Sequence, residues 1–211
     1  SSLELSSFSS SSAGPLPEIG NTASLVVRNS KLNITGSDSS NGVNIDVGFI
    51  PEFDASASAV SSSSSSAFSL HVEDSVLGVI GGRDSLRAEQ PMQNIRFNVT
   101  DLEMPVHACN LSVIVKGSWL DTGSFGSGIV ANTVFDRIAL VDSQLLVLNS
   151  TLRAMSVSND STTINMFFGA NHQLNDTKVH FISSSLLSTN SKYGSVANML
   201  IADGETAVVN T

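Results

Sequence analysis

The chain has 211 residues and a mass of 22.1 kDa, which fits one ordinary domain or one elongated array of repeats. It carries 10 Lys and Arg against 19 Asp and Glu, a net charge of −9. So few cations exclude a nucleic-acid binder and argue against docking on an anionic membrane surface. With 41% hydrophobic residues the chain can bury a core, and no apolar run reaches the roughly 18 residues of a bilayer span.

The cellular compartment has to be inferred without disulfides, because Cys109 is the single cysteine. The sequence starts without a charged segment and an apolar segment, so we expect any signal peptide to have been removed or to lie outside it. Six N-x-S/T sequons indicate a secreted or cell-surface glycoprotein, against about four expected by chance from 17 Asn and 51 Ser and Thr. The candidate glycosylation sites are Asn33, Asn98, Asn110, Asn149, Asn159 and Asn175.

Two stretches of low complexity flank or interrupt the rest of the chain. Residues 1–22 are rich in Ser and Pro and predict a linker or a frayed start. Residues 55–66, with six consecutive serines from Ser61, offer no apolar surface to bury and predict a solvated loop insertion. The remaining region, 23–211, is expected to form an array of repeats.

One eight-residue pattern recurs along this region: apolar-x-apolar-x-x-Ser/Thr-x-Leu. It occurs seven times, where fewer than about one match is expected by chance. The copies cover 25–32, 70–77, 95–102, 113–120, 138–145, 145–152 and 179–186. Weaker alternating segments near 45, 164 and 199 fill the gaps, and the nine segments begin about 22 residues apart on average.

The pattern predicts short strands joined by bends. Apolar residues at positions one and three lie on the same face of a strand, and Val, Ile and Phe favour an extended backbone. The Ser or Thr marks a bend where its hydroxyl bonds the backbone, and the Leu faces inward from the next strand. We therefore predict an all-β, right-handed parallel β-helix with coils of about 22 residues, about nine coils and roughly 40 Å long. A β-sandwich is the alternative, but the hairpin signal Asn-Gly occurs once, at Asn41-Gly42.

Acidic side chains are scattered rather than grouped as a catalytic site requires. Polysaccharide hydrolases with a β-helix carry motifs of the type Asn-Thr-Asp, Asp-Asp, Gly-His-Gly and Arg-Ile-Lys, and none stands in this sequence. Stacked coils would bring Glu73-Asp74 and Asp101 with Glu103 onto one flank, where a carboxylate pair could cleave a glycoside. We interpret these residues as solvated surface acids and predict no catalytic residue.

The remaining candidates for chemistry have ordinary structural explanations. The histidines lack metal-ligand spacing, and His71 and His180 occupy the outward second position of the pattern. Cys109 is interpreted as a buried free thiol, and the Gly-rich stretch 81–84 as a turn. Trp119 is expected to pack under a loop. We predict no metal and no cofactor.

Three copies of the pattern carry a resemblance to known proteins. The segments Val-Arg-Asn-Ser-Lys-Leu (27–32), Val-Glu-Asp-Ser-Val-Leu (72–77) and Leu-Val-Asp-Ser-Gln-Leu (140–145) resemble repeats of eukaryotic surface glycoproteins. The chain is most similar in style, over residues 23–210, to the dispersed gene family 1 surface proteins of kinetoplastids. Those proteins are large, rich in Ser and Val and predicted to form β-helices. The resemblance implies a cell-surface, adhesive role and a chain that is part of a longer array.

These observations favour a non-enzymatic, extracellular structural or adhesive module of a surface glycoprotein. The open end of a β-helix is an unpaired edge, so end-to-end self-association into filaments is expected, besides contacts with other surface proteins or glycans. The alternative function is a polysaccharide lyase or glycoside hydrolase of β-helix fold. A carbohydrate-binding surface would need exposed aromatic residues in a row, and one Trp and one Tyr do not favour it.

Overall fold

The chain folds into β-strands over the residues that this computed structural model describes. These residues are 2–8, 22–35, 42–49, 67–81, 92–99, 106–125, 128–157, 161–169, 173–190, 195–201 and 207–209. They contain twenty strands. Within them there is no helical segment long and apolar enough to cross a membrane.

Nineteen strands follow one another around a repeating four-sided turn, which we call a coil. The first strand of a coil belongs to sheet A, the second to sheet B, the third to sheet C and the fourth to sheet D. In chain order the strands are β1 Ser2–Phe8, β2 Thr22–Arg28, β3 Lys31–Thr35, β4 Val43–Phe49, β5 Ala67–Glu73, β6 Val76–Ile80, β7 Met92–Val99, β8 Val106–Cys109, β9 Ser112–Lys116, β10 Trp119–Ser124, β11 Gly128–Phe135, β12 Ile138–Val141, β13 Gln144–Leu148, β14 Thr151–Ser156, β15 Ser161–Phe168, β16 Gln173–Asn175, β17 Lys178–Ile182, β18 Ser185–Asn190, β19 Ser195–Ile201 and β20 Ala207–Val209.

Each sheet is built from equivalent strands of successive coils. Sheet A contains β2, β5, β9, β13 and β17, sheet B contains β3, β6, β10, β14 and β18, and sheet C contains β4, β7, β11, β15 and β19. Sheet D contains β8, β12, β16 and β20. All pairs between coils are parallel. The predicted all-β fold and parallel β-helix are therefore confirmed, since a β-sandwich would place neighbouring strands antiparallel.

The predicted coil length of about 22 residues is wrong. Equivalent serines at the corner between sheets A and B are separated by 45, 43, 32 and 34 residues. A complete coil holds four strands rather than two, and in the first coil the structure describes three of them, so the described residues form five coils rather than nine. The segments counted in the sequence came mostly from sheets A and C, which lie half a coil apart. At about 4.8 Å per strand the five coils span roughly 19 Å.

Five of the seven pattern copies stack in register at the corner between sheets A and B. Their third positions form one inward-facing column, and their final leucines form another. The first column is Val27, Val72, Val115, Val147 and Phe181. The second is Leu32, Leu77, Leu120, Leu152 and Leu186. Copy 138–145 spans the corner from sheet D to sheet A, and copy 95–102 begins in β7 and runs beyond the described residues.

Every corner between sheets A and B turns on one residue with positive φ. The residues are Asn29, Asp74, Gly117, Asn149 and Ser183, with φ from 45° to 58°. This left-handed conformation suits Gly, Asn and Asp best, because their short or absent side chains avoid the backbone clash. The same device recurs between sheets D and A, at Asn110, Asp142 and Asp176.

A serine follows each of these residues at the A–B corner and ties neighbouring coils together. The Ser118 hydroxyl accepts a hydrogen bond from the Ser75 N–H at 3.1 Å and donates one to the Lys116 carbonyl at 2.8 Å. The Ser150 hydroxyl does the same with the Ser118 N–H and the Leu148 carbonyl, at 3.1 and 2.6 Å. The predicted bend with a hydroxyl bonded to the backbone is confirmed, and it satisfies polar groups at a buried corner.

A second polar ladder runs inside the solenoid along sheet C. In each coil an asparagine donates its side-chain amide to the amide oxygen of the next, over distances of 2.7 to 2.9 Å. The members are Asn44, Asn94, Asn132, Asn165 and Asn198. Reversing the Asn165 amide would bring its NH₂ against that of Asn132, so the ladder requires the orientation in which the Asn165 oxygen faces Asn132. The buried amides are thereby paired rather than desolvated without partners.

The apolar core contains a stack of aromatic rings. Phe97, Phe135 and Phe168 occupy the same position in sheet C of three successive coils. Their ring centroids are 5.0 and 5.1 Å apart with interplanar angles of 2° and 11°. All three rings are fully buried among the Val, Ile and Leu columns. The stack adds ring–ring contact to the burial of large apolar surfaces.

The N-terminal segment differs from its prediction. Part of the expected linker 1–22 forms β1, which pairs antiparallel with β2, Ser2 opposite Arg28 and Phe8 opposite Thr22. Residues 2–6 alternate polar and apolar types, a strand pattern, and the edge of β2 offers free backbone groups. Residues 9–21 and the loop 55–66 lie outside the described residues, so the loop stays a prediction.

Replacing Phe135 with Ala should lower the free energy of unfolding by about 3 to 5 kcal/mol, because it opens a cavity between two stacked rings. Urea denaturation followed by far-ultraviolet circular dichroism would measure the loss. Ile182→Ala is the matched control, since that side chain is half exposed on the outer face of sheet A and should cost less than about 1 kcal/mol. Equal losses in both variants would contradict a core organised around the ring stack.

Replacing Asn132 with Leu should also destabilise the fold, by about 2 to 4 kcal/mol. The Asn132 oxygen accepts a hydrogen bond from the Thr122 hydroxyl at 2.7 Å, and its amide donates to the Asn165 oxygen at 2.8 Å. The variant leaves the buried Thr122 hydroxyl without this acceptor and the Asn165 oxygen without this donor. The same change at Asn198, the exposed last member of the ladder, should cost less than about 1 kcal/mol. A tolerated Asn132→Leu would show that the ladder does not stabilise the stack.

Candidate functional site

Three sequon asparagines project from the outside of the solenoid. Asn110 and Asn149 are exposed at corners, each in the left-handed conformation that points the side chain away from the strands. Their backbone N–H groups bond to the next coil, to the carbonyls of Val141 and Ile182 at 3.0 Å. Asn33 is exposed on the outer side of β3 in sheet B. Each of the three could carry a glycan without disturbing the core.

The other three sequons are less informative. Asn98 lies on β7 and is half-buried, and its side-chain oxygen is buried without a hydrogen-bond partner. Asn175 belongs to β16, and the structure describes its backbone alone. Asn159 lies outside the described residues. Asn98 is therefore the least suited to modification of the four sequons whose side chains are described.

Several acidic side chains on the outer surface are held by arginines. Arg153 donates from Nε to Asp121 Oδ1 at 2.9 Å, and a second guanidinium nitrogen contacts the other carboxylate oxygen. Arg96 binds Asp46 in the same two-point manner, with Nε–Oδ1 at 3.0 Å. Each side-chain hydrogen bond raises the pKa of its arginine, against partial desolvation that lowers it. The pairs are partly solvated, so each contributes only up to about 1 kcal/mol.

A third cross-coil pair joins Arg28 to Glu73, with Nε–Oε2 at 2.9 Å. Glu73 therefore does not combine with Asp74, which is exposed at the adjacent corner, as a carboxylate pair. Asp101 and Glu103, the other candidate pair, lie outside the described residues. Among the residues that the structure describes, no three His, Cys, Asp or Glu side chains come together as a metal site would require.

The histidines and the cysteine are not brought together where their positions are known. His71 and His180 share the outward row of sheet A, as predicted, but Ile114 and Leu146 separate them in that row. His107 and Cys109 lie in β8, where the structure describes only their backbone, so the buried-thiol interpretation stays a prediction. His172 is outside the described residues.

The outer side of sheet B carries an apolar surface that the sequence did not indicate. Nine outward positions of β6, β10 and β14 form a three-by-three grid, which we call the sheet B face. Its rows are Val76, Gly78 and Ile80, then Trp119, Asp121 and Gly123, then Thr151, Arg153 and Met155. Trp119 is 44% exposed, so the expectation that it packs under a loop is wrong. Val76, Ile80 and Met155 are exposed to a similar degree.

The centre of this face is the Asp121–Arg153 pair, with the Arg153 guanidinium carbon 5.9 Å from the centroid of the Trp119 ring. Attraction between the cation and the ring orients both side chains. Sequence reasoning missed the face because it concentrated on the inward positions of the pattern. The signal lay in the outward positions of the copy at 113–120. Its seventh residue is Trp119, and Asp121 and Gly123 follow two and four residues later.

Comparison of the chain with protein-family models, curated proteins and solved structures gives no match. The arguments for function therefore come from the molecule's own geometry.

Proposed function

We propose that this chain is a non-enzymatic, extracellular structural or adhesive module of a surface glycoprotein. The observation that carries the proposal is the placement of the sequon residues Asn33, Asn110 and Asn149, which are exposed on the outside of the stack. Glycans there would be solvated and would leave the spine of the solenoid untouched. The style resemblance to kinetoplastid dispersed gene family 1 surface proteins supports the same role.

The outer charges support a structural role rather than catalysis. Asp46, Glu73 and Asp121 are each held by an arginine of a neighbouring coil. A carboxylate in a two-point pair is a poor general base, because protonating it would break the pair. The alternative, a β-helix polysaccharide lyase or glycoside hydrolase, would be supported by release of reducing sugar from pectin or alginate. That result would overturn the non-enzymatic proposal.

Glycosylation at Asn149 is testable without changing Asn149 itself, which the corner needs in the left-handed conformation. In protein secreted from eukaryotic cells, Thr151→Val should remove the mass of one N-glycan, because it destroys the sequon with an isosteric side chain. Thr151→Ser keeps the sequon and should keep the glycan. Intact mass before and after enzymatic deglycosylation measures both. If the enzyme removes the same glycan mass from both variants, this site carries no sugar.

End-to-end assembly is the second element of the proposal. Met199 of the fifth coil is 49% exposed, whereas the equivalent Met166 one coil earlier is 3% exposed in the core. Strands β17 to β20 likewise have no described strand on their outer edge. A second copy stacked there would cover the methionine and pair the strands. At the N-terminal end of the stack, β1 already pairs with the edge of β2 in sheet A. Head-to-tail stacking would therefore pair the strands of sheets B and C first.

Met199→Lys should abolish filaments and leave the monomer folded, because the lysine is solvated in the monomer and buried without a partner in the stack. Ile182→Lys is the matched control: it is in the same coil and 50% exposed, but it lies on the outer row of sheet A. Electron microscopy and light scattering of concentrated protein would compare the two. Filaments that persist in Met199→Lys would rule out stacking through this end.

A further inference from the structure

We propose that the glycan on Asn33 folds back over the sheet B face and packs on the Trp119 ring. The inference rests on the proposed glycosylation of Asn33 and extends it, because it gives that glycan a binding surface on its own chain. Asn33 and Trp119 are both exposed on the outer side of sheet B. Covalent attachment keeps the sugar beside this face at a high effective concentration, so even weak contacts are sufficient to hold it there.

The Asn33 side chain leans from β3 towards β6. A Cβ atom at Gly78, the residue opposite Asn33 on β6, would lie 2.7 Å from Asn33 Oδ1 and 3.6 Å from its Cγ. Neighbouring strands are about 4.8 Å apart, so the amide leans across this gap and lies over the glycine. A sugar attached to the amide therefore starts out in the direction of the second and third coils.

Two exposed aliphatic side chains flank the path of the sugar. Val76 and Ile80 stand two residues before and after Gly78 on the same outer side of β6, and they are 41% and 46% exposed. The first sugar of an N-glycan is N-acetylglucosamine, which has an apolar acetyl methyl and apolar ring C–H groups. Packing over Gly78, between Val76 and Ile80, would remove these groups and both side chains from water.

Trp119 lies where the second sugar of the glycan core would arrive. It is two strands away from Asn33 and two residues back along the strand, which corresponds to about 12 Å between Cα atoms. The asparagine side chain and one N-acetylglucosamine cover most of that distance. The Trp119 ring is 44% exposed, and Arg153 approaches it from β14, the strand on the side away from Asn33. Pyranose C–H groups carry partial positive charge and pack on the negative face of such a ring.

The Asp121–Arg153 pair supplies hydrogen bonds for the sugar hydroxyls. Asp121 lies in the row of Asn33 and Gly78, one strand beyond the glycine. Arg153 binds its carboxylate from Nε and from one terminal nitrogen, and further N–H groups of the guanidinium can donate to a hydroxyl. A sugar has apolar C–H faces and a polar rim, so it suits a surface that combines an aromatic ring, aliphatic side chains and a held ion pair.

The other exposed sequon near Trp119 points elsewhere. Asn149 lies at the corner between sheets A and B, two residues before Thr151, which is opposite Trp119 on β14. Its left-handed conformation directs the side chain away from the strands. Asn33 instead lies on the sheet B face itself, so its glycan is the favoured occupant.

Trp119 is the single tryptophan of the chain, so the intrinsic tryptophan fluorescence reports on this face alone. The protein is secreted from eukaryotic cells, and acrylamide quenching of its fluorescence is measured before and after enzymatic removal of N-glycans from the folded protein. In the parent chain the removal should raise the quenching constant about twofold, because the glycan covers one of the two faces of the ring.

Two substitutions of Thr35 give matched proteins. Thr35→Val destroys the Asn33 sequon with an isosteric side chain, so deglycosylation should leave the quenching constant unchanged. Thr35→Asn also destroys that sequon but creates a new one with Gly36 and Ser37. Its glycan starts two residues farther from Trp119 and should not shield the ring. The second variant separates docking from the mere presence of a nearby glycan.

Asn149→Gly should retain the shielding, since Gly117 shows that glycine suits the equivalent corner. The intact mass of the parent minus that of Thr35→Val measures the glycan on Asn33. A glycan on Asn33 with quenching that deglycosylation does not change would overturn the docking and leave the proposed glycosylation standing. A missing glycan would overturn the inference and remove Asn33 from the support for the proposed function. Shielding that is kept in either Thr35 variant, or is lost in Asn149→Gly, would also overturn it.

Discussion

Hydrogen-bonded stacking of one coil on the next is the interaction on which the rest of this structure depends. A single coil has no partners for the backbone groups of its strands and cannot bury its own apolar side chains. Stacking meets both needs when equivalent residues fall in register, as the column from Leu32 to Leu186 does. The serine and asparagine ladders extend the same rule to polar groups, because each side chain bonds its counterpart in the next coil.

This constraint leaves the outside of the coil free to vary. In the row of sheet B that contains Asp121, the five coils place Asn, Gly, Asp, Arg and Leu at equivalent positions. One surface of the stack can thus carry ion pairs, another a sequon and a third an apolar face, all on one frame. These outer residues are ones that the fold does not require, and the proposed display or adhesive role would rest on them.

The inward-facing residues could be predicted from the sequence, because strand alternation depends on neighbouring residues in the chain. Alternation placed Val72 and Leu77 inside, and the serine between them marked the corner correctly. The coil length was not readable, because the strands of sheet D are short and the connections differ in length from coil to coil. Asn132 illustrates a second limit: a polar residue in a strand suggests solvent, yet its partners in adjacent coils make it part of the core. The N-terminal strand β1 was missed because its pairing partner is β2, beyond an intervening Ser- and Pro-rich stretch.

The amino-acid sequence by itself determined that the chain is acidic, strand-rich and repetitive, and which apolar residues face inward, since alternation and bends depend on neighbours a few residues away. Only the tertiary structure decided the number of coils, the two buried ladders and the surface around Trp119. The two ladders join residues 32 to 50 positions apart, and their register is set by packing between coils rather than by any local preference.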